Sequence, residues 1–82
     1  MSRLLAPPVP ASIGLDPEGN PSRISRPLVG ALDAVARWKV DLDWWLQPVR
    51  RDYWRVLYEG RLLCDLFWDH DLASWFLERI YD

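Results

Sequence analysis

Residues 53–68 read Tyr-Trp-Arg-Val-Leu-Tyr-Glu-Gly-Arg-Leu-Leu-Cys-Asp-Leu-Phe-Trp, and this stretch decides the fold class. Tyr53–Tyr58 is aromatic and β-branched, Glu59-Gly60 interrupts it, and Arg61–Trp68 resumes the run. Two apolar runs around a glycine that supplies positive φ predict a β-hairpin. Because strand side chains alternate, Trp54, Val56, Tyr58, Leu62, Cys64, Leu66 and Trp68 share one face. That set is uniformly apolar and is predicted to face the core. The other face carries Tyr53, Arg55, Leu57, Leu63, Asp65 and Phe67. It is mixed, yet too aromatic for a plain solvent face.

Working outward, Asp69-His70-Asp71 reads as a turn and Ser74–Tyr81 as a third strand. Leu72, Trp75, Phe76 and Ile80 lie at helical spacing, so a helix also fits there. Upstream, Asp41-Leu42-Asp43 is suited to cap one helical turn carrying Trp44, Trp45 and Leu46, stopped by Pro48. Ala31–Val40 fits either a helix, through Leu32, Val35, Ala36 and Lys39, or an alternating strand. Ser22–Val29 alternates in part, and Pro27 confines it to an edge or a bulge. Asp16-Pro17-Glu18-Gly19-Asn20-Pro21 has the composition of a turn. Met1–Ala11 holds three of the seven prolines and no alternation, which predicts a flexible Pro-rich arm over residues 1–11. Residues 12–82 then form a single small domain. About five short strands joined by short turns suggest an all-β fold, a small SH3-like barrel or a curled antiparallel sheet.

At 82 residues the chain forms one domain, and a domain of this size buries only roughly 60% of its unfolded surface. One cysteine excludes an internal disulfide framework. No apolar run reaches the roughly 20 residues of a membrane span. Leu4-Leu5-Ala6 before the prolines is too short for a secretory core, so a cytoplasmic location is expected.

The chemistry of the side chains points to binding. No Gly-rich phosphate loop, nucleophile elbow or spaced carboxylate pair is present, so the chain is read as a non-enzyme. Cys64 in an apolar strand reads as a small hydrophobe. Asp69, His70 and Asp71 are possible metal ligands, but no second histidine supports them, and neither a metal nor a cofactor is called for.

Six tryptophans stand out. Trp38, Trp54 and Trp68 are assigned to the core, where each ring buries about 150–250 Å². Trp44 and Trp45 are adjacent, point to opposite faces of a strand, and so include an exposed anchor. Arg50 and Arg51 lie beside Tyr53-Trp54, and arginine interleaved with aromatics suits either a protein interface or single-stranded nucleic acid. The charge distribution favours the former. Residues 52–82 carry three arginines and seven acids, a balance that repels phosphate. Pairing of the arginines with Asp41, Asp43, Asp52 and Asp65 and stacking on rings is expected instead. The partner-binding residues predicted are therefore Trp44, Trp45, Arg50 and Arg51. A nucleic-acid-binding module and a homodimer joined through an open sheet edge are the alternatives.

Taken in order, the chain carries Trp38, Asp43-Trp44-Trp45, Arg51-Asp52-Tyr53-Trp54-Arg55-Val56, Gly60-Arg61-Leu62, Leu66-Phe67-Trp68-Asp69, Trp75 and Arg79-Ile80-Tyr81. This string resembles a small bacterial family. Its members look like stand-alone companions to, or C-terminal modules of, ImuB-like Y-family translesion DNA polymerases. The resemblance implies strands at residues 31–40 and 74–81. It implies a protein–protein interaction module in SOS-induced translesion synthesis, docking a polymerase-related subunit. It carries over no catalytic residues. Trp38, Trp45, Arg51, Tyr53, Gly60, Phe67, Asp69, Trp75 and Tyr81 match as fold-defining positions. The chain departs from the pattern in Asp69–Ser74, where a glycine-containing turn is expected.

Overall fold

A computed structural model describes residues 2–42 and 48–82. Six strands follow one another: β1 (Ser2–Leu15), β2 (Pro21–Arg26), β3 (Gly30–Leu42), β4 (Val49–Tyr58), β5 (Leu62–Asp69) and β6 (Ser74–Tyr81). Each pairs antiparallel with the next, and β1 pairs with β6 to close an all-β barrel. Among the described residues no helix is long and apolar enough to cross a membrane.

The β4–β5 hairpin is built as its sequence dictates. Glu59 and Gly60 have φ of 51° and 69°, and the Arg61 N–H donates to the Tyr58 carbonyl at 3.1 Å. Positive φ at both central residues gives the turn the twist of the flanking strands. Tyr58 pairs with Leu62, Val56 with Cys64 and Trp54 with Leu66. The apolar face predicted from the alternation lines the interior. Trp54, Val56, Cys64 and Leu66 join Ile24, Leu32 and Leu77 in the buried core, with Tyr58, Leu62, Trp68, Trp75 and Ile80 packed against it.

Residues 31–40 and 74–81 are strands, which removes the helical alternatives. Trp38 does not join the core. A register shift between Ala34 and Ala36 leaves Val35 as an extra residue. Beyond this bulge Trp38 lies opposite Tyr53 on the outer face and stacks on it at 5.3 Å, 10° from parallel.

The expected N-terminal arm is instead part of the sheet, and it supplies the sixth strand. Ser2–Leu4 pairs with Arg79–Tyr81, and Val9–Ala11 pairs with Trp75–Leu77. Pro7 and Pro8 fall in the register shift between these runs. A missing N–H costs least where no ladder bond is made. β1 then continues past residue 11 to pair with β2, so the arm and the domain are one unit.

Two turns are capped by an aspartate; the first has Gly19 at the positive-φ position, with φ of 85°, and the last does not have a glycine there. In the first, Asp16 Oδ1 accepts the N–H groups of Glu18 and Asn20, both at 2.9 Å. In the last, Asp69 Oδ1 accepts those of Asp71 at 2.9 Å and Leu72 at 3.0 Å. There Ala73 adopts φ of 50°, the left-handed conformation that a glycine would supply. Ala73→Gly is expected to raise the unfolding free energy by about 0.5–1 kcal/mol, since relief of strain exceeds the added chain entropy. A urea titration checks this, and a lower midpoint would contradict it.

Candidate functional site: a tryptophan-lined groove at the barrel mouth

Of the four residues predicted to bind a partner, Trp44 and Trp45 lie outside the described residues, as does Asp43. Arg50 and Arg51 are neighbours on β4 whose side chains point to opposite faces, although both line one hollow. Arg50 Nη2 donates to Asp71 Oδ1 at 2.8 Å across an exposed surface. Such a pair contributes about 0–1 kcal/mol. Arg51 is taken up by the outer face of the sheet. Its guanidinium lies 4.3 Å from the Phe67 ring centroid, Nε lies 3.5 Å from Asp69 Oδ2, and Nη1 donates to Tyr53 Oη at 3.3 Å.

That outer face explains the mixed composition of the second hairpin set. Trp38, Tyr53, Phe67 and Phe76 stand opposite one another across β3, β4, β5 and β6. Successive ring centroids are 5.3, 5.2 and 5.2 Å apart. Arg51 caps the row on one side, and Arg55 stands 5.5 Å over Trp38 on the other. Phe67 is 1% and Tyr53 8% exposed although both lie outside the barrel. The row is a second small core, sealed by guanidinium groups, and its central rings are not free to stack on a ligand.

The concave surface lies on the inner face, at the end of the barrel where β4 and β5 run past the core. Trp54 contacts Trp75 at 5.0 Å and 49°, and Trp68 contacts Trp75 at 5.6 Å and 60°. These tilted arrangements suit aromatic quadrupoles. Trp54, Trp68 and Trp75 line a pocket of about 260 Å³ together with Leu15, Gly19, Asp52 and His70. The first hairpin brings Leu15, half exposed, to the rim.

Asp52 and His70 also line a second hollow of about 170 Å³, with Lys39, Val40, Asp41, Arg50 and Arg51. The two hollows are therefore neighbours that meet at Asp52 and His70, one walled by tryptophans and the other by charged side chains. His70 Nε2 lies 3.1 Å from Asp52 Oδ2 and its backbone N–H donates to the Arg50 carbonyl at 3.0 Å. Arg37 Nη2 lies 3.8 Å from the same carboxylate oxygen, and its guanidinium sits 4.9 Å over Trp54. The side chain of Asp52 is thus held between a guanidinium and an imidazole where the two hollows meet.

The remaining candidate chemistry disperses. Asp69 caps its turn and faces Arg51, His70 faces Asp52, and Asp71 faces Arg50. The three neighbours in sequence therefore share no point in space. Among the described residues no group of three or more His, Cys, Asp or Glu side chains is placed to hold a metal. Cys64 is buried and unpaired, and burial pushes its thiol up to about 11. At neutral pH it is a thiol packed among apolar groups. Both hollows are smaller than the roughly 300–1,000 Å³ of a small-molecule site. They fit one or two side chains of a larger partner.

The sequence placed Trp54 and Trp68 on one face but missed the groove. Trp75 reaches it as the cross-strand neighbour of Trp68 in the β5–β6 hairpin, and Leu15 through the first hairpin and barrel closure. No protein-family model, curated protein or solved structure matches this chain.

Proposed function

We propose that the chain is a non-enzymatic protein-interaction module whose barrel-mouth groove receives a short segment of a partner. The observation that carries this reading is the adjacency of two hollows. A pocket walled by Trp54, Trp68 and Trp75 shares Asp52 and His70 with the charged hollow that Lys39 and Arg50 line. An aromatic anchor pocket with a polar rim is the usual anatomy of a protein-binding hot spot. The resemblance of the motif string to companions of ImuB-like polymerases supports a polymerase-related subunit of bacterial translesion synthesis as the partner, in the cytoplasm. Of the predicted partner-binding residues Trp44, Trp45, Arg50 and Arg51, the two arginines line the charged hollow, and the tryptophan pocket is added to them.

Single-stranded nucleic acid is the weaker reading. The arginines beside the aromatic row face Asp65, Asp69 and Glu78, which leaves little net positive charge for phosphate. The test is a pull-down with translesion polymerase subunits, comparing the parent chain with a Trp68→Ala/Trp75→Ala variant. Loss of two aromatic anchors is expected to weaken capture about 10-fold or more. Leu72→Ala, exposed and outside both hollows, is expected to leave it within about 2-fold. Undiminished capture by the tryptophan variant would overturn the assignment. A salt-sensitive anisotropy signal with a labelled single-stranded oligonucleotide would instead favour the nucleic-acid alternative.

A further inference from the structure

The barrel is closed unevenly, and the seam between β2 and β3 leaves one strand edge open. β2 meets β3 only through Arg23 opposite Ala31 and Ile24 opposite Gly30, whereas β3 runs on to Leu42 beside β4. Beyond the bulge at Val35, residues Ala36–Leu42 therefore have a strand on one side only, among the described residues. The ladder fixes which of them turn their backbone outward. The Arg50 carbonyl accepts the His70 N–H on the β5 side, so Arg50 turns its main-chain groups away from its β3 partner, Asp41. That pair is a non-hydrogen-bonded one, and Asp41, like Lys39 by alternation, presents its own N–H and C=O to the free edge.

The side chains of the same two residues are also free. Arg37 is held by Asp52 and Trp54, Arg50 by Asp71, and His70 by Asp52. Lys39 and Asp41 are exposed and, among the described residues, have no ion-pair partner within their own chain. They lie opposite Asp52 and Arg50 and so share the inner face, whereas Trp38, Val40 and Leu42 share the outer one. Two unpaired charges of opposite sign thus flank Val40, on the residues that carry the outward hydrogen-bonding groups.

We infer that Trp38–Leu42 pairs antiparallel with the same segment of a second copy, about a two-fold axis between the two Val40 residues, to form a dimer. This goes beyond the partner-docking reading and does not depend on it. Centring on Val40 sets each Lys39 opposite Asp41 of the other copy, and these pairs exchange the main-chain hydrogen bonds. On the outer face it sets each Trp38 opposite Leu42, which is 50% exposed, and Val40 against its own copy. Other registers oppose like charges. A centre at Trp38 sets Arg37 opposite Lys39. A centre at Lys39 pairs Arg37 with Asp41 but sets the two lysines against each other, and one at Asp41 does the same to the two aspartates. Centres nearer the bulge drive the second strand into the place held by β2 at Gly30 and Ala31. The axis is perpendicular to the sheet, so both copies turn their inner faces the same way. Lys39, Val40 and Asp41 line the charged hollow, and each hollow therefore gains Asp41 and Lys39 of the other copy along its wall.

Trp38–Leu42 is a short strip beside the roughly 20–30 residues a side of a standard interface, so a weak dimer is expected, with a Kd of about 0.01–1 mM. The test is sedimentation equilibrium of the full chain across that range. The weight-average mass is expected to rise with concentration from 9.7 kDa toward twice that value. Lys39→Asp alone and Asp41→Lys alone each oppose like charges and are expected to weaken association about 10-fold or more. The double variant exchanges the two charges and is expected to restore association to within about 3-fold, which no other register gives. Both sites are exposed, so the variants keep the fold, and circular dichroism checks this. Val40→Cys places two thiols in a non-hydrogen-bonded pair with Cα atoms about 4.5 Å apart, within disulfide reach. It is expected to cross-link on oxidation, whereas Leu72→Cys, at an exposed turn, is not; Cys64 is buried and takes no part. A mass of 9.7 kDa at every concentration would overturn the dimer. Association that the single reversals leave unchanged, or that the exchange does not restore, would overturn the pairing at Val40.

Discussion

A Leu66→Ala variant is expected to lose about 3–5 kcal/mol of unfolding free energy. Leu66 is 0% exposed and sits in β5 opposite Trp54 on one side and Leu77 on the other. Its neighbours cannot collapse into the space, because β4 and β6 hold β5 in register from both sides. Relaxation would have to break ladder hydrogen bonds, so most of the cavity remains, and the cost falls in the upper part of the range for leucine truncation. A domain of this length has a total stability of about 4–12 kcal/mol, so the variant is expected to be partly unfolded at 37 °C. Urea denaturation followed by tryptophan fluorescence reads the loss. Leu72→Ala, at a residue 64% exposed, is the control and is expected to change stability by less than about 0.5 kcal/mol. A loss below about 1 kcal/mol at Leu66 would mean that the inner face of the β4–β5 hairpin is not the closely packed core.

What the sequence disclosed and what it withheld differ in range along the chain. The β4–β5 hairpin was legible because its signal is local: alternation on both sides of Glu59-Gly60, with register fixed by the turn. The place of Leu66 in the core followed from that alternation alone. β1 was not legible, because its partner β6 lies at the other end of the chain and its prolines mimic an unpaired arm. Trp38 was assigned to the wrong face because one extra residue at Val35 reverses the alternation, and a bulge in a run of small residues has no distinct signature. The last turn was doubtful for a physical reason that the structure makes plain. Ala73 occupies a conformation better suited to glycine.

The site shows the same division. That Trp54 and Trp68 share a face was visible, and so was the tendency of the arginines to pair with acids. Asp65 was named among those acids, and Arg55 reaches it. Asp52 and Trp75 flank Trp68 across the β4–β5 and β5–β6 hairpins, whereas the arrival of Leu15 at the same pocket depends on barrel closure and could not be read from spacing. Arg51, named with Trp44, Trp45 and Arg50 as partner-binding, stacks on Phe67 and faces Asp69 and Glu78, so ring stacking was legible but its acidic partners were not among those named.

Asp65→Ala is expected to cost about 2–3 kcal/mol, a large effect for a residue on the outside of a barrel. Asp65 is 5% exposed. Arg55 Nε donates to Oδ1 at 2.9 Å and Nη2 to Oδ2 at 3.3 Å, while the Tyr81 hydroxyl donates to Oδ2 at 2.7 Å. Arg55 Nη2 also donates to Tyr81 Oη at 2.7 Å, closing a three-membered network. The side chain of Arg55 is 38% exposed, so its freed charge recovers part of its hydration and the cost stays below that of a fully buried pair. A double-mutant cycle with Tyr81→Phe separates the phenol's share, for which about 1 kcal/mol is expected. The titration of Tyr81 gives a second readout. Its hydroxyl is raised above the ordinary value of 10.0, first by the hydrogen bond to Asp65, then by burial and by the carboxylate's charge. A phenol that holds its proton more tightly when folded contributes stability that is fully present below pH 10 and lost as pH rises through the folded value. Asp65→Asn, which removes the charge but keeps the shape, is therefore expected to bring Tyr81 ionisation to lower pH in an ultraviolet absorbance titration. It is also expected to shrink this contribution to the alkaline loss of stability. A loss below about 0.5 kcal/mol for Asp65→Ala, with Tyr81 titrating as before, would place the network among ordinary surface pairs such as Arg50–Asp71.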